Sequence, residues 1–327
     1  MIAAMFSVWL STAVPTEGQT VVHRNINFDF NFDLQFLFTL GSALWYATDG
    51  VANTGYIALT DVQPNQRGSF QVWGTQSFIG GMSLMGVTID CSLRIGGSPI
   101  MPAGGVSINF PRVYDEALTN ALAAFMFGSG FANGPNGEPD LPEEGTKTGL
   151  SVFFDTANGG GPNTPGLGVR VDDRVLVRVP LPTLNGACDD PTSIQTGFGE
   201  QLCWQPLHVE LLTNGLVNVA WKNQILVTNL QTGFLAGPCN FLVAAGTIEA
   251  GEHHDFDNFF FTMVQSTLPT LTIIRSGNEL LLQWSSAGGV LQSADLLTAS
   301  TEWHDLGTSN PQSVSLEGRQ KFFRVRK

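Results

Sequence analysis

The densest group of potential ligands in this 327-residue sequence is His253-His254-Asp255-Phe256-Asp257. Side chains alternate between the two faces of a strand, so His253, Asp255 and Asp257 would share a face and offer an imidazole and two carboxylates to a metal such as zinc. A polar loop leading into Phe259-Phe260-Phe261 explains the same run without an ion. Calcium has a better donor set. Asp155 and Asn158, with Glu143 and Glu144 at the end of the acidic loop 136–144 (NGEPDLPEE), supply hard oxygens beside Gly-rich turns. Asp155 reads equally as a turn cap, and the adjacent pairs Glu143-Glu144 and Asp172-Asp173 read first as solvated loop charge.

Trp45, Tyr46, Trp73, Trp204 and Trp221 are candidates for a platform on which the apolar face of a sugar packs. Trp221 continues the period-two series Val217, Val219 and belongs in the core, whereas Trp45 and Tyr46 point to opposite faces, so one of them is expected outside. Catalytic patterns are absent. A retaining glycosidase needs two carboxylates about 5 Å apart, and no E-x-D-x-x-E run exists to place them on one strand face. G-x-S-x-G, HExxH and the phosphate-binding glycine loop are also missing. A non-catalytic binding protein is the expectation.

The four cysteines, Cys91, Cys188, Cys203 and Cys239, have spacings that match no zinc or redox motif. Cys188 and Cys203 flank a polar loop, and a disulfide between them would stabilise the fold by about 3 kcal/mol on the chain-entropy model. Such a bond favours an oxidising compartment. Cys91 and Cys239 sit among apolar residues and read as small buried hydrophobes.

The elements that must position these groups are strands. With 15 Lys+Arg against 28 Asp+Glu, 37 Gly and 23 Phe, the chain is acidic, low in charge and rich in β-compatible residues. Nucleic acid is excluded as a partner, since phosphate binding rests on clustered Lys and Arg. Polar and apolar residues alternate over 25–38, as in a strand with one buried face. Asn214-Gly215, Lys222-Asn223 and Asp172-Asp173 mark hairpin turns, the last with Val169, Val171, Val175, Val177 and Val179 inward. One helix is expected, over 115–127.

Residues 1–20 read as a signal segment lacking its basic start, or alternatively as an N-terminal strand. No run is long enough to cross a bilayer as a helix. A boundary falls near 265–270, where Pro269 follows a strand and net charge changes from −14 over 1–268 to +1 over 269–327. The expected organisation is a 21–268 domain followed by a small 269–327 β module.

The order of PAGGVSINF (102–110), GLSVFFDTANGGG (149–161), GVRVDDRVLV, the 204–227 hairpins and FLVAAGTIEAGEHHDFDNFFF (241–261) resembles the concanavalin A-like lectin/glucanase jelly roll, in its laminin-G-like and L-type-lectin-like forms. The resemblance covers about residues 30–264. It implies an all-β antiparallel jelly-roll β-sandwich whose groove and rim loops take a glycan, in many members with calcium. In metal-dependent members the strand reads acidic-x-Asp-Thr with a later Asn; here Phe153 stands at the acidic position, Asp155 matches and Asn158 arrives one residue early. Gly104 stands where the family's sugar-contacting Asp falls. The 269–327 segment resembles the fibronectin-like β module, a small β-sandwich, that ends many secreted proteins of Planctomycetes and Verrucomicrobia.

These readings combine into one set of expectations. The chain is a secreted or cell-surface lectin-like protein with Trp45, Tyr46, Gly104 and Asn158 at a ligand site, and Asp155, Asn158, Glu143 and Glu144 around calcium. Its partner is a glycan or an extracellular surface component. A structural or adhesive module that binds protein is the alternative, and a degenerate glycoside hydrolase the third reading.

Overall fold

The computed structural model describes residues 19–29, 37–72, 82–97, 104–112, 131–133, 140–157, 165–183, 188, 190–198, 201–234, 236–267, 271–276, 279–284, 289–296, 301–315 and 321–326. The signal segment up to residue 18, Trp73, Asn158, and the helix expected over 115–127 lie outside them. The chain divides into two compact units, one within residues 1–266 and one formed mainly by Thr267–Lys327.

The first unit is an antiparallel jelly-roll β-sandwich. One sheet runs, in spatial order, Gln224–Gln231, Leu216–Trp221, Gln205–Leu211, Met82–Gly96, His253–Thr267, Tyr56–Thr60 and Leu44–Tyr46, with Gln19–Ile26 also paired to His253–Thr267. The other runs Arg174–Pro180, Gly166–Val171, Leu150–Asp155, Gly104–Phe110, Leu242–Thr247, Arg67–Val72 and Leu37–Gly41. Apolar residues at alternate positions meet between the sheets: Val177, Val169, Val152, Ile108, Val243 and Phe70 are cross-strand neighbours in one row. Against them lie Ile57, Ile89, Leu93, Val209, Trp221, Phe256 and Phe259 of the opposite sheet, all fully or almost fully buried. Trp221 is thus a core residue, as its period-two position implies.

The hairpins turn at the marked dipeptides. Asp172-Asp173 and Lys222-Asn223 take the paired positive φ values of a type I′ turn (45° and 60°; 50° and 61°), whose twist matches that of the flanking strands. Two strand expectations change. The alternating run over 25–38 is not one strand: the first strand ends at Ile26, and Phe28 turns to φ 56° and buries its ring. In Arg174–Pro180 a register shift between Val175 and Val177 turns Val175 to the outer face, opposite Arg170, so only part of the valine series is inward. The same alternation puts Arg178 on that outer face, opposite Gly168.

The second unit has two three-stranded antiparallel sheets, Leu271–Ser276/Glu279–Trp284/Gln312–Ser315 and His304–Gly307/Val290–Ala294/Phe322–Arg326. Leu282, Trp284 and Leu291 form its small core, and Arg324 stacks on Trp303 at 4.2 Å.

Candidate functional site

The outer face of the sheet containing Leu150–Asp155 carries Pro180, Gly166, Asp155, Gly105, Gly246 and Arg67 as one row of cross-strand neighbours. The next row holds Arg178, Gly168, Phe153 and Ser107. On this face lies the 3-10 turn Pro142–Glu144, fixed by the Ser107 hydroxyl donating to Pro142 O (2.6 Å) and by Thr146 N donating to Asn109 Oδ1 (3.2 Å) and Ser151 Oγ (3.1 Å). Gly105 and Gly246 make the trough for Glu143. A Cβ on Gly246 would run into Glu143 Oε2, so a larger residue there would force that carboxyl to shift.

Glu143 and Glu144 are therefore not solvated loop charges but buried ones. Glu144 is the hub: its Oε1 accepts from Arg178 Nη2 at 2.7 Å, and its Oε2 from Arg170 Nη2 at 2.8 Å and Arg178 Nη2 at 2.9 Å. Arg178 Nη1 donates to Asp155 Oδ2 at 2.8 Å, while Ala157 N donates to Asp155 Oδ1 at 2.9 Å, the turn-capping role. Both guanidinium groups lie over the Phe153 ring, at 5.0 Å for Arg178 and 5.8 Å for Arg170. Burial pushes the Glu143 carboxyl up to about 7 and that of Asp155 to about 6, the latter opposed by its hydrogen bond from Arg178. Glu143 Oε2 has no hydrogen-bond partner.

These residues do not fit a calcium ion. Calcium takes six to eight oxygens, most of its charge balance coming from carboxylates, yet all four carboxylate oxygens of Glu144 and Asp155 already accept hydrogen bonds. Gly104 is a buried strand residue at φ 149°, its carbonyl accepting from both the amide and the hydroxyl of Thr156. In the His253–Asp257 run, Asp255 Oδ2 accepts from Arg94, Asp257 accepts from Val51 N and Asn258 N, and His253 faces Asp61 at 3.4 Å, while Asp255 Oδ1 and His254 Nε2 are buried without a hydrogen-bond partner. Among the described residues no three His, Cys, Asp or Glu side chains group to hold a metal.

The second arrangement lies on the outer face of the other sheet. Trp45 and Tyr46 do point opposite ways. Trp45 packs on the core and donates its indole N–H to Phe28 O at 2.7 Å, which makes it a structural residue. Tyr46 is 41% exposed and stacks on Tyr56 at 5.1 Å. The Arg94 guanidinium lies 4.8 Å from the Tyr56 ring and 4.5 Å from the Trp204 ring, which themselves meet edge-on at 5.6 Å. Arg94 Nε donates to Asp255 Oδ2 and Nη1 to Asp49 Oδ2, each at 2.8 Å, and Trp204 Nε1 donates to Asp49 O at 3.1 Å. Asp255 is buried and its carboxyl is pushed up to about 7 by that burial, against the pull of Arg94; the Asp49 side chain is 75% exposed. A disulfide joins Cys188 to Cys203, the residue before Trp204, and Cys203 N donates to Thr196 O at 2.9 Å. Cys91 and Cys239 are buried and form no disulfide, and Cys239 Sγ accepts from Arg112 Nη1 at 3.6 Å.

The expected ligand and metal residues thus separate. Gly104 and Asp155 belong to one sheet, with Glu143 and Glu144 in the turn packed on it, and Trp45 and Tyr46 belong to the other. Arg94, Arg170 and Arg178 were not singled out in the sequence, although they organise both clusters. For Arg170 and Arg178 the available signal was scarcity: a hairpin spelled Val-Arg-Val-Asp-Asp-Arg-Val-Leu-Val-Arg-Val spends three of only fifteen basic residues.

Fold and sites together define the class: an antiparallel jelly-roll sandwich with an ion cluster around buried Glu144 and Asp155 on one sheet and, on the other, an aromatic–guanidinium cluster whose Tyr46 and Asp49 are exposed over buried Tyr56 and Arg94. No family model matches the chain, and no curated protein matches it. Among solved structures it is similar to the carbohydrate recognition domain of Emp47p, at 17% identity over 69% of this chain and 87% of that one (TM-score 0.43). It is also similar to the metal-free carbohydrate recognition domain of Emp46p, at 12% identity over 72% and 94% (TM-score 0.47). A third is the exoplasmic/lumenal domain of VIP36 in its Ca2+/Man3GlcNAc-bound form, at 13% identity over 75% and 87% (TM-score 0.39). Among the described residues no helix is long and apolar enough to cross a membrane.

Proposed function

We propose that the protein is a non-catalytic, lectin-like carbohydrate-binding protein acting outside the cytosol, and that its glycan packs on the Tyr46/Tyr56/Arg94/Trp204 platform. The observation that carries this reading is the alternation of rings and guanidinium beside the exposed Asp49 carboxylate. The apolar face of a pyranose gains from packing on the face of an aromatic ring, here the exposed Tyr46, while its hydroxyls need a few fixed polar groups, here the Asp49 carboxylate that Arg94 holds in place. The Cys188–Cys203 disulfide favours an oxidising compartment. Hydrolysis has no support from the buried carboxylates, because Glu144 and Asp155 are held by Arg178 rather than free to act as acid and nucleophile.

A second reading, an adhesive module that binds protein, draws on the strand Gln224–Gln231. It closes one end of its sheet without a single charge or proline, and Ile225 is 75% exposed. Unprotected edges of that kind pair readily with another strand. A glycan array probed with the wild-type chain, Trp204→Ala and Asp49→Ala separates the two. Binding of one glycan class, reduced at least tenfold by either substitution, is expected. Absence of any glycan hit would leave the adhesive reading standing instead, and hits unchanged in both variants would move the glycan away from this cluster.

A further inference from the structure

We infer that Arg178 takes the place of a metal cation: the Glu144–Asp155 pocket draws its positive charge from the chain's own guanidinium groups, and it folds and holds its shape without calcium. The observation is one of position. A single guanidinium bridges the two carboxylates, Nη2 to Glu144 and Nη1 to Asp155, from the neighbouring hairpin arm, and Arg170 supplies a second positive charge to Glu144. Bridging two carboxylates from different segments is what a bound cation does for a loop, and a planar fork does it with fixed geometry. The bridge also has a structural consequence. Glu144 sits on the turn Pro142–Glu144 and Asp155 at the end of Leu150–Asp155, so Arg178 clamps that turn to the sheet. The register shift at Val175/Val177 precedes Arg178 in its strand and sets the face from which it reaches them. This inference stands apart from the glycan proposal, since it concerns the opposite sheet.

The test is a thermal melt in calcium chloride and in chelator. The wild-type midpoint should be the same in both. Arg178→Met keeps the apolar stem over Phe153 but strips the charge, leaving the carboxylates to repel each other. Its midpoint should fall by about 10 °C in chelator and recover in part when calcium is added, because the vacated carboxylates then accept an ion. Arg178→Lys should lower the midpoint less and show no calcium response. If Arg178→Met does not fold in chelator, recovery of folded protein on refolding with calcium reads the same effect, and failure to recover counts against the inference. A wild-type midpoint that rises with calcium, with the rise abolished by Asp155→Asn, would overturn it.

Discussion

The two polar clusters use the same parts and reach opposite outcomes. Each sets an arginine between two carboxylates and against aromatic rings: Arg178 between Glu144 and Asp155 on Phe153, Arg94 between Asp49 and Asp255 on Tyr56 and Trp204. In the first, both acids are buried and the turn Pro142–Glu144 covers them. In the second, one acid is buried and the other stands 75% exposed beside a half-exposed tyrosine. The difference is the exposure of one acid: the Asp49 side chain reaches solvent, although the Arg94 side chain (8% exposed) is itself more buried than that of Arg178 (22%). A covered ion pair holds the fold together, because removing one partner strands a charge in a low-dielectric site. An uncovered one leaves polar and aromatic groups in fixed positions for something else to meet.

The largest effect follows from breaking the covered cluster at its hub. Glu144→Ala leaves both Arg170 and Arg178 short of a partner and should destabilise the first unit by about 3–5 kcal/mol, read as a fall in denaturation midpoint with slope unchanged. Glycan binding by the surviving folded protein should be unaltered. Loss of binding in step with stability would show that the two clusters are not separate.

Next is pH, which touches both regions. Glu143, with its carboxyl at about 7, holds a proton in the folded chain that the unfolded chain, near the usual 4.5, has already released. The stabilisation is complete below about pH 4.5 and is lost as pH rises to about 7, a change of roughly 3 kcal/mol. Glu143→Gln should flatten the fall in midpoint between pH 5 and pH 8 and raise the midpoint at pH 8. Asp255, also raised to about 7, sits beneath the open platform and keeps part of the slope in that variant. A variant as pH-sensitive as the wild type would place the slope entirely elsewhere.

The contrast between the clusters also explains what could be read from the sequence. Hairpins were legible because Asn-Gly, Asp-Asp and Lys-Asn solve a local backbone problem, and Trp221 because periodicity reports burial directly. The Cys188–Cys203 pair was legible from its loop. The 25–38 run misled because alternation persists through Asn27 and Asp29 although Phe28 leaves the strand at positive φ to support Trp45. The clusters themselves were opaque. Whether Glu143 and Glu144 are wet or buried depends on Gly105 and Gly246, residues 38 and 103 positions away in neighbouring strands, and nothing local to the acidic loop announces the trough they form. The proposed platform was half legible: Tyr46 and Trp204 were candidates as aromatics, but the sheet that joins them through Arg94 was not.

The gentlest way to sharpen the comparison is to loosen the open cluster from behind. Trp204 follows Cys203, and the disulfide to Cys188 closes a loop of 15 residues whose backbone also bonds Cys203 N to Thr196 O. Reduction, or Cys188→Ser with Cys203→Ser, should cost about 3 kcal/mol or less of stability and let the Trp204 ring leave the face of Arg94. Glycan affinity should then fall by roughly tenfold, the worth of one stacking contact at about 1.4 kcal/mol. The response of the Glu144–Asp155 cluster to calcium should not change, because its clamp runs through Arg178. Tyr46→Ala, which removes only the outer ring of the stack, should weaken binding less than Trp204→Ala and leave the stability within about 0.5 kcal/mol of wild type, as surface substitutions do. If Tyr46→Ala proved the more damaging of the two, the ligand would lie over the tyrosine pair and not across the guanidinium.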